Sequence, residues 1–171
     1  MSLVGALTGA FVVGTSVAKT IGEGIVDRAM INEFTVMGAI LASVLWVLGA
    51  TRLGFPVSVS HSLVASLVGA GLATAGTASV QIAGVTKVLL ALAVSPVLGF
   101  IFAYGGMVGL YWLVRRASPR DVRVWFTPLQ ILAGAFLSYS HGKNDGQNAI
   151  GVIALAATFY YGREELSIDR W

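Results

Sequence analysis

The chain has 171 residues, 56% of them hydrophobic and only 11% charged, with a formal net charge of +3 and a mean hydropathy of +0.82. So little charge excludes a water-facing globular surface, where about a quarter of residues are charged. Cysteine is absent, which excludes disulfides and thiolate metal sites, and no basic face interleaved with stacking aromatics points to nucleic acid.

The apolar runs are long and unbroken, so the expected class is an all-α, polytopic membrane protein rather than a β-barrel of short alternating segments. The first run, residues 3–18, is short for a span, and no basic segment precedes it as in a cleaved leader. The stretch "KTIGEGIVDRAMINE" reads as a loop or interfacial segment, and a second span is expected over residues 34–50, closed by Arg52. Pro56 ends any helix arriving from Leu53. Ser58, Ser60, His61 and Ser62 follow it, and the apolar residues 63–73 are too few to cross, which predicts a re-entrant serine loop. Residues 85–114 read as one long tilted helix or as two pieces broken near Pro96. Arg115, Arg116, Arg120 and Arg123 then cluster in a loop over 115–127, which the positive-inside rule assigns to the cytoplasm. The last apolar block covers 129–161, before a polar tail.

The middle of that block is "YSHGKNDGQNAIG", with His141, Lys143, Asn144, Asp145, Gln147 and Asn148 set among glycines. Ionisable groups at membrane depth cost several kcal/mol unless they face a cavity or partner. Glycine and asparagine are also poor helix interior. The expectation is a broken helix near 142–146, whose half-helix ends expose N–H groups for anions and C=O groups for cations. The competing reading is an external loop, against which stand flanking segments too short to cross. The alternating hydroxyls of Ser58, Ser60 and Ser62 offer neutral donors suited to an oxyanion that must bind and leave. They also fit a simple helix cap for the segment that follows. His61 alone is more often a hydrogen-bonded structural residue than a ligand.

"FPVSVSHSLVASLVGAGLA" and "YSHGKNDGQNAIGVIALA" resemble the two signatures of the inorganic phosphate transporter family, bacterial low-affinity branch. Pro56, Ser58, Ser60 and His61 match the serine loop, with Val57 and Val59 where many members carry further serines. His141, Gly142, Asn144 and Asp145 match the Asn-Asp signature, and Gln147 and Asn148 each fit one of its variants. Lys143 departs from the pattern and could add an anion contact or snorkel away.

The resemblance implies a secondary transporter of inverted repeats. On that pattern residues 1–114 belong to a first repeat, 115–127 form the basic cytoplasmic loop, and 128–171 start a second repeat. One serine loop and one Asn-Asp signature are present, which suggests an internal piece lacking the first Asn-Asp signature and the last serine loop. The implied function is phosphate symport in the cell membrane without a cofactor. Ser58, Ser60, Ser62, Asn144, Gln147 and Asn148 would bind phosphate, with His61, His141 and Lys143 as further candidates. Asp145 would serve the coupling ion, proton or sodium. The implied partners are phosphate, the bilayer, and either transporter segments on another chain or further copies of this one. A non-transporting membrane subunit or remnant, or sulfate as substrate, is the alternative. No nucleophile or metal-ligand spacing accompanies the histidines and Asp145, so no enzyme is expected.

Overall fold

The computed structural model describes Val4 and residues 16–161. Most of the expected first span and the polar tail lie outside those residues. Among the described residues five α-helices are named, in order: α1 (Ser16–Glu23), α2 (Glu33–Arg52), α3 (Val59–Ala75), α4 (Ile82–Val114) and α5 (Pro119–Tyr161). A short 3₁₀ turn (Gly76–Ser79) joins α3 to α4, and among the described residues there is no named strand.

Helix α2 starts in a capping box. Asn32 Oδ1 accepts from the Thr35 amide at 3.0 Å, and Thr35 Oγ1 accepts from the Asn32 amide at 3.3 Å, satisfying two otherwise orphan donors. It ends in a Schellman turn: the Phe55 amide reaches Ala50 O at 2.9 Å and the Gly54 amide reaches Thr51 O at 3.1 Å. Gly54 sits at φ 75°, where a Cβ would be strained. The chain thereby reverses, and α3 packs antiparallel on α2. Thr35 Oγ1 at the start of α2 lies 2.9 Å from Thr74 Oγ1 at the end of α3.

The core joins α1, α2, α3 and the far end of α5. Ile21, Ile25, Val26, Val36, Ala39, Leu63, Leu67 and Leu155 form one buried cluster. On α5 the buried residues Gln147, Gly151, Ala154 and Thr158 recur every three or four positions, with Asn148 and Leu155 beside them, which is one helical face. Gly151 meets α1 there: a Cβ on it would come within 2.7 Å of Ala18 O, the close approach that small residues allow between membrane helices. The segment after α1 pairs with the segment before α4, through Asp27 N to Ser79 O (2.7 Å) and Gln81 N to Ile25 O (3.0 Å).

No residue of α4 is buried. Large apolar side chains such as Trp46, Phe102, Leu113 and Phe136 are exposed, which water does not tolerate over so large an area. Among the described residues three segments are long and apolar enough to cross a bilayer: Glu33–Arg52, Val59–Ser79 and Ile82–Val114. The protein is an all-α, polytopic membrane protein.

Three sequence expectations are corrected. The polar centre is not a break: α5 is a continuous helix from Pro119 to Tyr161. Two glycines cost about 1 kcal/mol each in a helix, but Gly142, Gln147 and Asn148 are buried, with Gln147 bonded to α1 and Asn148 to α3, and that packing overrides propensity. The re-entrant reading of the serine stretch loses its argument from length. Helix α3 begins at Val59, because Ser58 caps it and Ser60, His61 and Ser62 enter the first turn, so 59–79 is long enough to cross. The loop over 115–127 shrinks to 115–118. Ser118 Oγ accepts from the Asp121 amide at 3.2 Å and donates to Asp121 Oδ2 at 2.7 Å, and Pro119 takes the first helical position, where its missing N–H is harmless. That Ser-Pro-x-Asp pattern was readable in the sequence as a helix start. The open question at Pro96 resolves as one helix, with Pro96 inside α4.

Candidate functional site

The two polar stretches meet. Asn148 on α5 is 5% exposed, and its Nδ2 donates to Ser60 Oγ on α3 at 2.6 Å, across 88 residues of chain. Ser60 reaches this position because Ser58, as N-cap, starts the helix early. Ser58 Oγ accepts weakly from the His61 amide at 3.4 Å, and Ser62 Oγ donates back to Ser58 O at 2.8 Å.

A cleft of about 470 Å³ opens at this contact. Its walls are Ser16 and Thr20 from α1, Ser60 and His61 from α3, Lys87 and Ser95 from α4, and Asn144 and Asn148 from α5, with apolar residues between them. Asn144 and Asn148 share a face because they lie one turn apart. The first turn of α3 also brings backbone N–H groups that have no intrahelical acceptor. Among the lining residues there is no carboxylate. The cleft can therefore donate hydrogen bonds from amides, hydroxyls and an ammonium to an anion.

Asp145 points elsewhere. It borders a second cavity of about 440 Å³ with Ser43, Val59, Leu63 and Ile153, and its Oδ2 lies 3.3 Å from His141 Nε2, one turn back on the same helix. Asn148 borders both cavities and is thus the wall between them.

The structure brings Ser60, His61, Asn144 and Asn148 into one cleft. It does not bring the others there. Ser58 is an exposed cap, and Ser62 is buried and spends its hydroxyl on its own helix. Gln147 is buried, with Oε1 accepting the Val17 amide at 3.3 Å, so it ties α5 to α1. Lys143 is half-buried and His141 exposed, and neither lines the cleft. Sequence reasoning missed Lys87, although a single charge within an apolar run of span length was the signal for it. Ser16, Thr20 and Ser95 carried no such signal, being ordinary small residues of apolar helices.

The model of the phosphate transporter family matches residues 1–169. The chain belongs to that family. A "probable low-affinity inorganic phosphate transporter" of Rhizobium meliloti (strain 1021) is 35% identical over 153 residues, covering 88% of this chain and 46% of that protein. One of the same description from Bacillus subtilis (strain 168) is 34% identical over 158 residues, covering 91% and 46%. The chain thus spans about half the length of these curated relatives. A solved structure titled "The sodium-dependent phosphate transporter" aligns with a TM-score of 0.60 at 24% identity, over 99% of this chain and 48% of that one. That likeness supports the all-α polytopic fold. These family members are named as transporters, not as enzymes.

Proposed function

We propose that this chain acts in the movement of inorganic phosphate across the cell membrane, as a multi-pass protein coupled to a cation gradient. The observation that carries the reading is the Asn148–Ser60 hydrogen bond. It joins the serine stretch and the Asn-Asp stretch at the wall of a cleft with no carboxylate, in a chain of the phosphate transporter family. Phosphate is held by the amides of Asn144 and Asn148 and the hydroxyl of Ser60, with His61 at the rim. Neutral donors suit an anion that must also be released.

Asp145 serves the coupling cation, proton or sodium, from the second cavity. A carboxylate either ligates sodium through oxygen or carries a proton. Asn148, shared by both cavities, links the state of one to the other. The arginine-rich turn at 115–118 faces the cytoplasm. The exposed apolar sides of α2 and α4 are covered by lipid, by a second copy or by a further chain.

The test is uptake of radiolabelled phosphate into proteoliposomes holding the purified chain, under an imposed sodium or proton gradient. Accumulation driven by one gradient, and collapsed when that gradient is dissipated, is the expected result. Absence of phosphate binding to the purified chain and of any gradient-driven uptake refutes the proposal. Binding without uptake would leave the phosphate site standing and refute transport by this chain alone.

A further inference from the structure

Lys87 is the one charged residue in the 33 residues of α4. A charge in such a segment is expensive unless it faces a cavity or a partner. Lys87 makes no ion pair or hydrogen bond among the described residues. It faces the cleft together with Val88, Ala91, Leu92 and Ser95, a stripe at one-turn spacing along α4. Lys87 is exposed to that cleft, whose other walls carry the side-chain amides of Asn144 and Asn148 and the hydroxyl of Ser60. Asp145, the nearest carboxylate in sequence to those amides, is turned to the other cavity and paired with His141. Lysine at the edge of a span commonly snorkels to water, but a snorkelling lysine has no need of a polar wall facing it.

We infer that Lys87 is the charge-bearing residue of this cleft: its ammonium holds a phosphate-type oxyanion against Asn144, Asn148 and Ser60. The inference rests on the reading of the cleft as the phosphate site and deepens it. A strongly hydrated ammonium acts on phosphate as a point charge, so it supplies attraction, while the neutral donors fix the orientation. The same chemistry would hold a free phosphate ion or a phospholipid headgroup.

The experiment is acylation of lysine amines, read by mass spectrometry, on the purified chain in nanodiscs. The chain has three lysines, Lys19, Lys87 and Lys143, so Lys143, outside the cleft, is an internal control. Inorganic phosphate, sulfate and chloride are titrated into zwitterionic nanodiscs and into nanodiscs containing phosphatidylglycerol. Phosphate binding is measured in parallel for Lys87→Gln and Lys87→Arg.

Phosphate is expected to slow Lys87 acylation severalfold with the Lys143 rate unchanged, equally in both lipids. Lys87→Gln is expected to weaken phosphate binding by about tenfold or more, the loss of a charge-assisted hydrogen bond, and Lys87→Arg to retain most of it. Equal phosphate binding by wild type and Lys87→Gln, with Lys87 acylated at the same rate throughout, overturns the inference and leaves the phosphate reading of the cleft intact. Protection by sulfate but not phosphate upholds the anion-binding role of Lys87 and overturns the phosphate reading. Protection that follows phosphatidylglycerol and ignores free phosphate makes Lys87 a membrane-surface contact and overturns the inference. Neither protection nor binding with any anion overturns both.

Discussion

Replacing Asn148 by Ala removes the donor of a side-chain hydrogen bond between the two polar stretches, Nδ2 to Ser60 Oγ at 2.6 Å. A neutral hydrogen bond contributes about 0.5–1.5 kcal/mol net. Ser60 is half-buried, so water replaces part of what its hydroxyl loses, and the expected destabilisation stays near 1–2 kcal/mol. Ser60→Ala should cost a similar amount. Because both substitutions break the same bond, the double variant should fall short of the sum by about 0.5–1.5 kcal/mol. The assay is loss of helical circular dichroism on titration of detergent-solubilised protein with a denaturing detergent, for wild type, both single variants and the double. Additive effects, with no coupling, would refute the claim that this contact joins α3 to α5. Asn148→Asp sharpens the functional half of the argument. It preserves size but places an acceptor-only carboxylate in the anion cleft, so phosphate binding should fall further than with Asn148→Ala. Equal binding by the two variants would refute placement of the anion at that wall.

Asp145→Asn keeps the size but removes the charge, and should abolish gradient-driven phosphate uptake while sparing phosphate binding; uptake at the wild-type rate would refute its coupling role. Ala117→Cys, which leaves the Ser118 cap intact, should resist an impermeant thiol reagent applied to intact cells and react in inside-out vesicles; ready external labelling would reverse the assigned topology. Gly151→Leu should destabilise the fold by more than about 2 kcal/mol in the same denaturing-detergent titration, because a Cβ there meets the Ala18 carbonyl at 2.7 Å. A neutral result would refute direct packing of α1 on α5.

Membrane class, all-α architecture and the identity of the two polar stretches were legible because each is written locally. A lack of charge, apolar runs of span length and polar groups amid apolar ones need no third dimension to be read. The start of α5 was equally local, in Ser118, Pro119 and Asp121. The state of the polar centre was not local. Glycines and asparagines in a row argue for a break on propensity, and burial of Gly142, Gln147 and Asn148, with Gln147 bonded to α1 and Asn148 to α3, keeps the helix whole. Division of labour among the polar residues is tertiary for the same reason. Ser60 lies two residues after the Ser58 cap and about 200° around the helix from Ser62, and that placement sends one hydroxyl to Asn148 and keeps the others in local bonds. Asp145 and Asn144 are adjacent in sequence yet open to different cavities. Lys87 joins the cleft only because the first turns of α4 border the same cavity as α1, α3 and α5, a proximity set by chain path and not by any neighbour in sequence.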